Sequence, residues 1–192
     1  MKKPKIKMVS FGEGPTKGRA FKFAQRLLKK NLPGTVKVVD LQKPRYKLPS
    51  NMGYVKGNVL AETEKIESAS VPAVIADFFI HHVPYGKDVT NLADIRKRAA
   101  IAGQTFSEIQ RTLPGYINEV KRILVPGGKF LLTTFEHRYI DREIIPLLRN
   151  AGFKVIAREF KPTEIEASGS KYAQREYAKG KKVIKIIAQK PR

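Results

Sequence analysis

The stretch that most constrains the fold is residues 117–160, INEVKRILVPGGKFLLTTFEHRYIDREIIPLLRNAGFKVIAREF. A helical pattern runs into Leu124-Val125-Pro126-Gly127-Gly128. A strand is predicted over 129–135, a second helix follows, and Asn150-Ala151-Gly152-Phe153 leads into another strand. Pro126 has no N–H with which to continue a helix and drives Val125 out of helical conformation; the paired glycines then permit a tight reversal. Gly152 ends the next helix in the same way. Helix and strand in alternation place the chain in the α/β class.

The rest of the chain extends this alternation. Residues 5–11 read as a first strand, and Gly12-Glu13-Gly14-Pro15-Thr16-Lys17-Gly18 as a glycine-rich turn. Phe21, Ala24, Leu27 and Leu28 recur at helical spacing, predicting a helix over 18–31. A second strand at 35–39 closes on Asp40, and a third is expected around 54–59. A short helix over 61–68 precedes a fourth strand from Val71. That strand is apolar on both faces, as a central parallel strand is. Residues 88–113 read as a helical embellishment, with a second helix starting near 105, interrupted at Pro114-Gly115 and resuming to 124. Residues 161–180 read as a long polar loop, and 182–188 as the last strand. The sum is seven strands with interleaved helices, and no linker divides residues 1–192 into separate domains.

In a doubly wound sheet, ligands sit beyond the carboxyl ends of the strands where the winding reverses. The glycine turn, Asp40, Gly57-Asn58 and Asp77 all fall at such strand ends. Asp40 lies 22 residues beyond Gly18, near the spacing of a ribose-binding acid in nucleotide folds. A carboxylate there can accept both ribose hydroxyl protons.

This order, together with Leu124-Val125-Pro126-Gly127-Gly128, resembles a class I S-adenosylmethionine-dependent methyltransferase, with a degenerate first glycine motif. The resemblance implies a Rossmann-like, doubly wound seven-stranded sheet, mostly parallel with helices on both faces, of order 3-2-1-4-5-7-6 with the seventh strand antiparallel. It implies S-adenosylmethionine as cofactor. Gly12, Gly14 and Gly18 would lie under its methionine end with Glu13 beside them. Asp40 would hold the ribose, Asn58 would face the adenine, and Asp77 with Phe78 would border the cofactor. Asp77 is also the candidate catalytic base or acceptor-orienting group. Ser10 stands where the family usually carries an acid, and the Gly14–Gly18 spacing is stretched. No Asn-Pro-Pro-Tyr motif follows strand four, and Thr133-Thr134 occupies the strand-five position where ribose 2′-hydroxyl methyltransferases carry a lysine.

Charge narrows the acceptor. Thirty-eight Lys and Arg against seventeen Asp and Glu give +21, which predicts attraction to polyanions, RNA (rRNA or tRNA) above all. Residues 1–47 hold fourteen basic and two acidic side chains, and 161–192 hold nine and three. Lys2, Lys3, Lys5, Arg96, Lys97, Arg98, Lys179, Lys181 and Lys182 are the candidate RNA-binding residues. With no cysteine, disulfides, thiolate metal sites and cysteine-dependent methylation are excluded, and His81-His82 reads as a structural pair rather than a metal site. No apolar run approaches membrane-spanning length, so a cytoplasmic protein with no membrane partner is expected. Three functions follow: an RNA-directed methyltransferase, a non-catalytic RNA- or ribonucleoprotein-binding protein on the same fold, and a small-molecule methyltransferase.

Overall fold

The computed structural model describes residues 5–11, 19–40, 44–57, 59–77, 112–136, 140–168 and 171–192. Seven strands form one sheet: β1 (Ile6–Phe11), β2 (Thr35–Asp40), β3 (Met52–Lys56), β4 (Val71–Asp77), β5 (Leu124–Phe135), β6 (Lys154–Glu159) and β7 (Val183–Gln189). Their order is β3-β2-β1-β4-β5-β7-β6. All pairings are parallel except those of β7, which runs antiparallel to both β5 and β6. The sheet order expected from the resemblance is therefore the one observed.

Six α-helices flank the sheet among the described residues: α1 (Arg19–Lys29), α2 (Val59–Glu64), α3 (Thr112–Ile123), α4 (Ile145–Asn150), α5 (Pro162–Ser168) and α6 (Lys171–Ala178). A π-helical turn, Ile140–Ile144, leads into α4. On one face, Tyr116, Ile117 and Val120 of α3 and Leu148 of α4 close over Phe130, Leu132, Ile186 and Ala188. On the other, Ala20, Phe21, Ala24 and Leu27 of α1 cover Met8, Val36, Val38 and Ile75. Alternation along each strand sends neighbours to opposite faces, so one sheet feeds both cores.

Three local readings are corrected. Helix α3 runs unbroken through Pro114-Gly115 from Thr112. Pro114 sits in the first turn, where the backbone N–H groups have no helical partner and the missing donor costs nothing. The polar stretch 161–180 is not a loop: α5 and α6 occupy it, because Ile165, Ala173 and Tyr177 pack with Phe160, Val183 and Phe135 into a third cluster. Strand β3 lies earlier than expected, its register fixed by Met52 and Tyr54 opposite Val36 and Val38. The embellishment at 88–113 lies outside the described residues up to 111.

Strand β5 begins at Leu124, ahead of the start expected at 129, so Pro126-Gly127-Gly128 lie within it rather than before it. Helix α3 stops at Ile123, and Leu124 pairs with Val71 while Lys129 pairs with Ala73, so the chain between them bulges out. Gly127 adopts φ +76°, a left-handed conformation that favours glycine. A Cβ on Gly128 would stand 2.8 Å from the Val125 carbonyl oxygen, so a side chain there would displace backbone.

Candidate active site

The site is built on the carboxyl edge of the central strands. Phe11, the last residue of β1, pairs with Val39 of β2 on one side and Ala76 of β4 on the other. Asp40 and Asp77 are each one residue further on, so the two acids flank the exit of β1 at one level. Two inter-strand spacings separate their backbones, about 10 Å. Both share a strand face with residues that α1 covers, since Asp40 alternates with Val38 and Asp77 with Ile75. This is where the sheet's winding reverses, with β1 and β2 turning one way and β4 the other.

Arg19 occupies this crevice from the helix side. It is the first residue of α1, and its guanidinium grips Asp77 with two bonds. Nε donates to Oδ2 at 2.6 Å, and the terminal Nη2 donates to Oδ1 and also to the hydroxyl of Thr133 on β5. The pair is largely shielded, with side chains 22% and 20% exposed. A three-residue bridge thus ties α1, β4 and β5 together at the carboxyl edge of the sheet. Sequence reasoning passed over Arg19, although a signal was present. A cation in the first turn of a helix opposes the helix dipole and needs an anion nearby.

Asp40 is held through its backbone. Tyr54 donates its hydroxyl to the Asp40 carbonyl at 3.1 Å, and the N–H of Gly57 donates to the same oxygen at 3.3 Å. Burial, and then the Asp40 charge, push the Tyr54 hydroxyl above its ordinary pKa. Tyr54 therefore stays a neutral donor, and it is a second site-positioning residue that sequence reasoning missed. Ser10, where an acid was expected by resemblance, is 1% exposed between Val38 and Ile75.

Of the predicted cofactor residues, Asp40 and Asp77 are thus brought together; Gly12, Glu13, Gly14, Gly18, Asn58 and Phe78 lie outside the described residues, as does the pair His81-His82. Among the predicted RNA-binding residues, Lys2, Lys3, Arg96, Lys97 and Arg98 also lie outside them, and Lys5 is exposed beside β1. Lys179 and Lys181 close on the buried carboxylate of Glu176 at 2.9 and 2.7 Å. Lys182 stands 3.7 Å from Glu136. These three cations first of all hold α6 and its connection to β7.

A mostly parallel sheet of this order, with an antiparallel β7 set between β5 and β6 and helices on both faces, defines the class I methyltransferase fold. Solved structures with it span several chemistries. The 16S rRNA methyltransferase KamB matches with a TM-score of 0.62 at 14% identity, over 98% of this chain and 90% of that one. The phosphoethanolamine N-methyltransferase 2 of Haemonchus contortus, solved with S-adenosyl-L-methionine, matches at 0.53 and 16% identity, over 100% of this chain. This chain spans 50% of that enzyme's length. The [4+2]-cyclase SpnF matches at 0.55 and 13% identity, over 98% and 75%. No family model matches the sequence, and neither does any curated protein. No helix among the described residues is long and apolar enough to cross a membrane.

Proposed function

We propose that this chain is an S-adenosylmethionine-dependent methyltransferase acting on RNA, either rRNA or tRNA. The observation that carries the reading is the pair of acids, Asp40 and Asp77, either side of the β1 exit, with a helix N-terminus facing them. The donor set fits the cofactor. Asp40, held by Tyr54 and Gly57, supplies the acceptor a ribose diol needs. Arg19 supplies a planar guanidinium suited to a carboxylate. When bound, S-adenosylmethionine supplies an already activated methyl group, so positioning and the exclusion of water can provide much of the acceleration.

The role of Asp77 follows from its partner. Both its oxygens already accept bonds from Arg19, so it orients groups at the edge while that pair holds. RNA as acceptor rests on the +21 charge, which a small metabolite would not need, and KamB supports it by analogy of fold.

Calorimetry with S-adenosylmethionine tests the reading. The wild-type chain is expected to bind, with Asp40→Ala weakened about tenfold to a hundredfold, as the loss of charge-assisted hydrogen bonds implies. Transfer of a labelled methyl group to rRNA or tRNA would then separate the RNA reading from a small-molecule one. A second reading is a non-catalytic RNA-binding protein on this fold, favoured by the occupation of Asp77 by Arg19 and by Ser10 in place of an acid. Undetectable cofactor binding beside tight RNA binding would establish it.

A further inference from the structure

The face of the sheet that carries α1 continues past β4 onto β5, β7 and β6, and there its residues fall into three rows. Register places Lys129, Gln189 and Lys154 side by side, then Leu131, Ile187 and Ile156, then Thr133, Lys185 and Arg158. The middle row is apolar and open. Ile156 is 64% exposed, and Leu131 and Ile187 are only partly buried. The flanking rows are basic. Lys129 and Lys154 are exposed and, among the described residues, form no ion pair, and Lys185 lies over the Phe160 ring at 5.9 Å. Arg158 is the one cation of these rows tied to an acid, Glu164 of α5, at 2.6 Å.

The lower end of this surface is concave. A depression of about 260 Å³ is lined by Lys154, Gln189, Lys190, Pro191 and Arg192. Lys190 donates to the carbonyls of Lys121 and Leu124, so its ammonium is held by the end of α3. The upper end abuts the reaction edge, because Thr133 belongs to the last basic row and bonds Arg19.

We infer that the open β5–β7–β6 face is an RNA-binding surface: phosphates lie along Lys129, Lys154 and Lys185 and in the depression at Arg192, and riboses and bases lie on the apolar row. This deepens the proposed function and rests on it only for the direction of travel, from the depression toward Asp77. The spacing suits the task. Lys129 and Lys154 are two inter-strand steps apart, about 10 Å, and the two basic rows are four residues apart, about 13 Å. A polyanion is the partner that charge complementarity selects, since Lys129 and Lys154 form no ion pair among the described residues, and Asp77 and Glu164 at the upper row are already paired with Arg19 and Arg158. Lys and Arg contacts to phosphate position a nucleic acid without reading its sequence, and the apolar row has no directional groups to add. The surface is therefore a track, not a sequence reader. It also differs from the site expected from sequence, because Lys179 and Lys181 are engaged by Glu176.

The test uses the full chain and a fluorescein-labelled 20-nucleotide oligouridylate, with affinity measured by anisotropy across a salt series. The variant Lys129→Ala/Lys154→Ala is compared with Lys29→Ala/Lys30→Ala, an equal charge loss on and just beyond α1. The first pair is expected to weaken binding about tenfold and to shallow the salt slope by roughly 1.4, at about 0.7 per lost contact with a single strand. The second is expected to change both little. Equal losses in the two variants, no loss in the first, or no binding by the wild type at 50 mM salt would each overturn the proposal. So would displacement of the oligonucleotide by polyglutamate at equal charge concentration, which would point to an acidic protein instead. Unchanged S-adenosylmethionine binding in Lys129→Ala/Lys154→Ala, beside its loss in Asp40→Ala, keeps the fate of this surface separate from that of the active site.

Discussion

The two faces of the sheet are built to different ends. On the face beneath α2, α3 and α4, Phe130, Leu132, Ile186 and Ala188 are fully buried and Tyr116 is wedged against Phe11 and Phe130 at 5.4 and 5.9 Å. On the opposite face, α1 seals β1, β2 and β4, but Ile156 and the lysines of the outer strands stay open. The same strands supply both. Leu132 and Ile186 point to the closed side, while Leu131 and Ile187, one residue away, point to the open one. Across these outer strands burial is concentrated on one side of a shared backbone, and the other is left with charge and exposed apolar surface up to the cluster that α5 and α6 cover.

Truncation on each face should break that comparison most sharply if it is wrong. Phe130→Ala removes a ring from a fully buried site and is expected to cost about 3–5 kcal/mol in urea unfolding. Ile156→Ala, two strands away on the open face, should cost no more than about 0.5 kcal/mol. Comparable losses at the two positions would mean that the outer face is packed in solution. Tyr116 adds a pH limit to the closed face. Burial pushes its hydroxyl well above 10, so the folded chain keeps a proton that the unfolded chain loses. Its contribution is whole below about pH 10 and falls as the pH rises beyond it.

The next largest effect lies where the two faces meet at the carboxyl edge. Arg19→Ala leaves Asp77 shielded and without its main partner; Asp77→Asn leaves the guanidinium facing an amide. The two substitutions should be strongly non-additive, with a coupling of about 1–3 kcal/mol in a double-mutant cycle. Additive losses would show that the Arg19–Asp77 pair contributes nothing to the fold. It would then be free to rearrange around a ligand without cost, which sharpens rather than weakens the active-site reading.

The legibility of this molecule follows the range of its interactions. The alternation of helix and strand was readable because proline, glycine and period-two patterns act within a few residues, and the order of the strands followed from the resemblance. Asp40 and Asp77 were readable because strand ends in a doubly wound sheet converge by topology. Arg19 was passed over: its place in the first turn of a helix called for an anion, but that partner is 58 residues away and nothing local names it. The helices over 161–180 were hidden for a similar reason. Their sequence is polar, and only contact with Phe160, Val183 and Phe135 from three other segments gives them a core. Nothing local announces that Glu176 is buried beneath Lys179 and Lys181, because its cover comes from tertiary packing.

That buried acid offers a smaller test. Glu176 is 5% exposed, and hydrogen bonds from Lys181 and then Lys179 hold its carboxyl at about 2, far below its ordinary 4.5. The ionised form is therefore favoured by folding. The stabilisation is present above about pH 4.5 and is lost as the pH falls toward 2. Lys179→Met/Lys181→Met should move the acid unfolding midpoint to higher pH while leaving stability near pH 10 governed by Tyr116. An unmoved acid midpoint would mean that these lysines do not hold the Glu176 carboxylate in its ionised form.

The smallest effect separates the same chemistry in an open setting. Glu164 is also held at about 2, by Arg158 and then by the N–H of Lys161, and its contribution is lost over the same interval of falling pH. Its side chain, however, is 30% exposed, whereas that of Glu176 is 7% exposed beneath its lysines. Salt screens exposed charges and reaches covered ones poorly. In 1 M salt, Arg158→Met should therefore become indistinguishable from wild type in acid unfolding, while Lys179→Met/Lys181→Met should keep part of its shift. RNA should act in the opposite sense: if the open face binds it, Arg158 gains a second anionic partner, and a bound oligonucleotide should make Arg158→Met costlier at low salt and leave the Glu176 cluster unaffected.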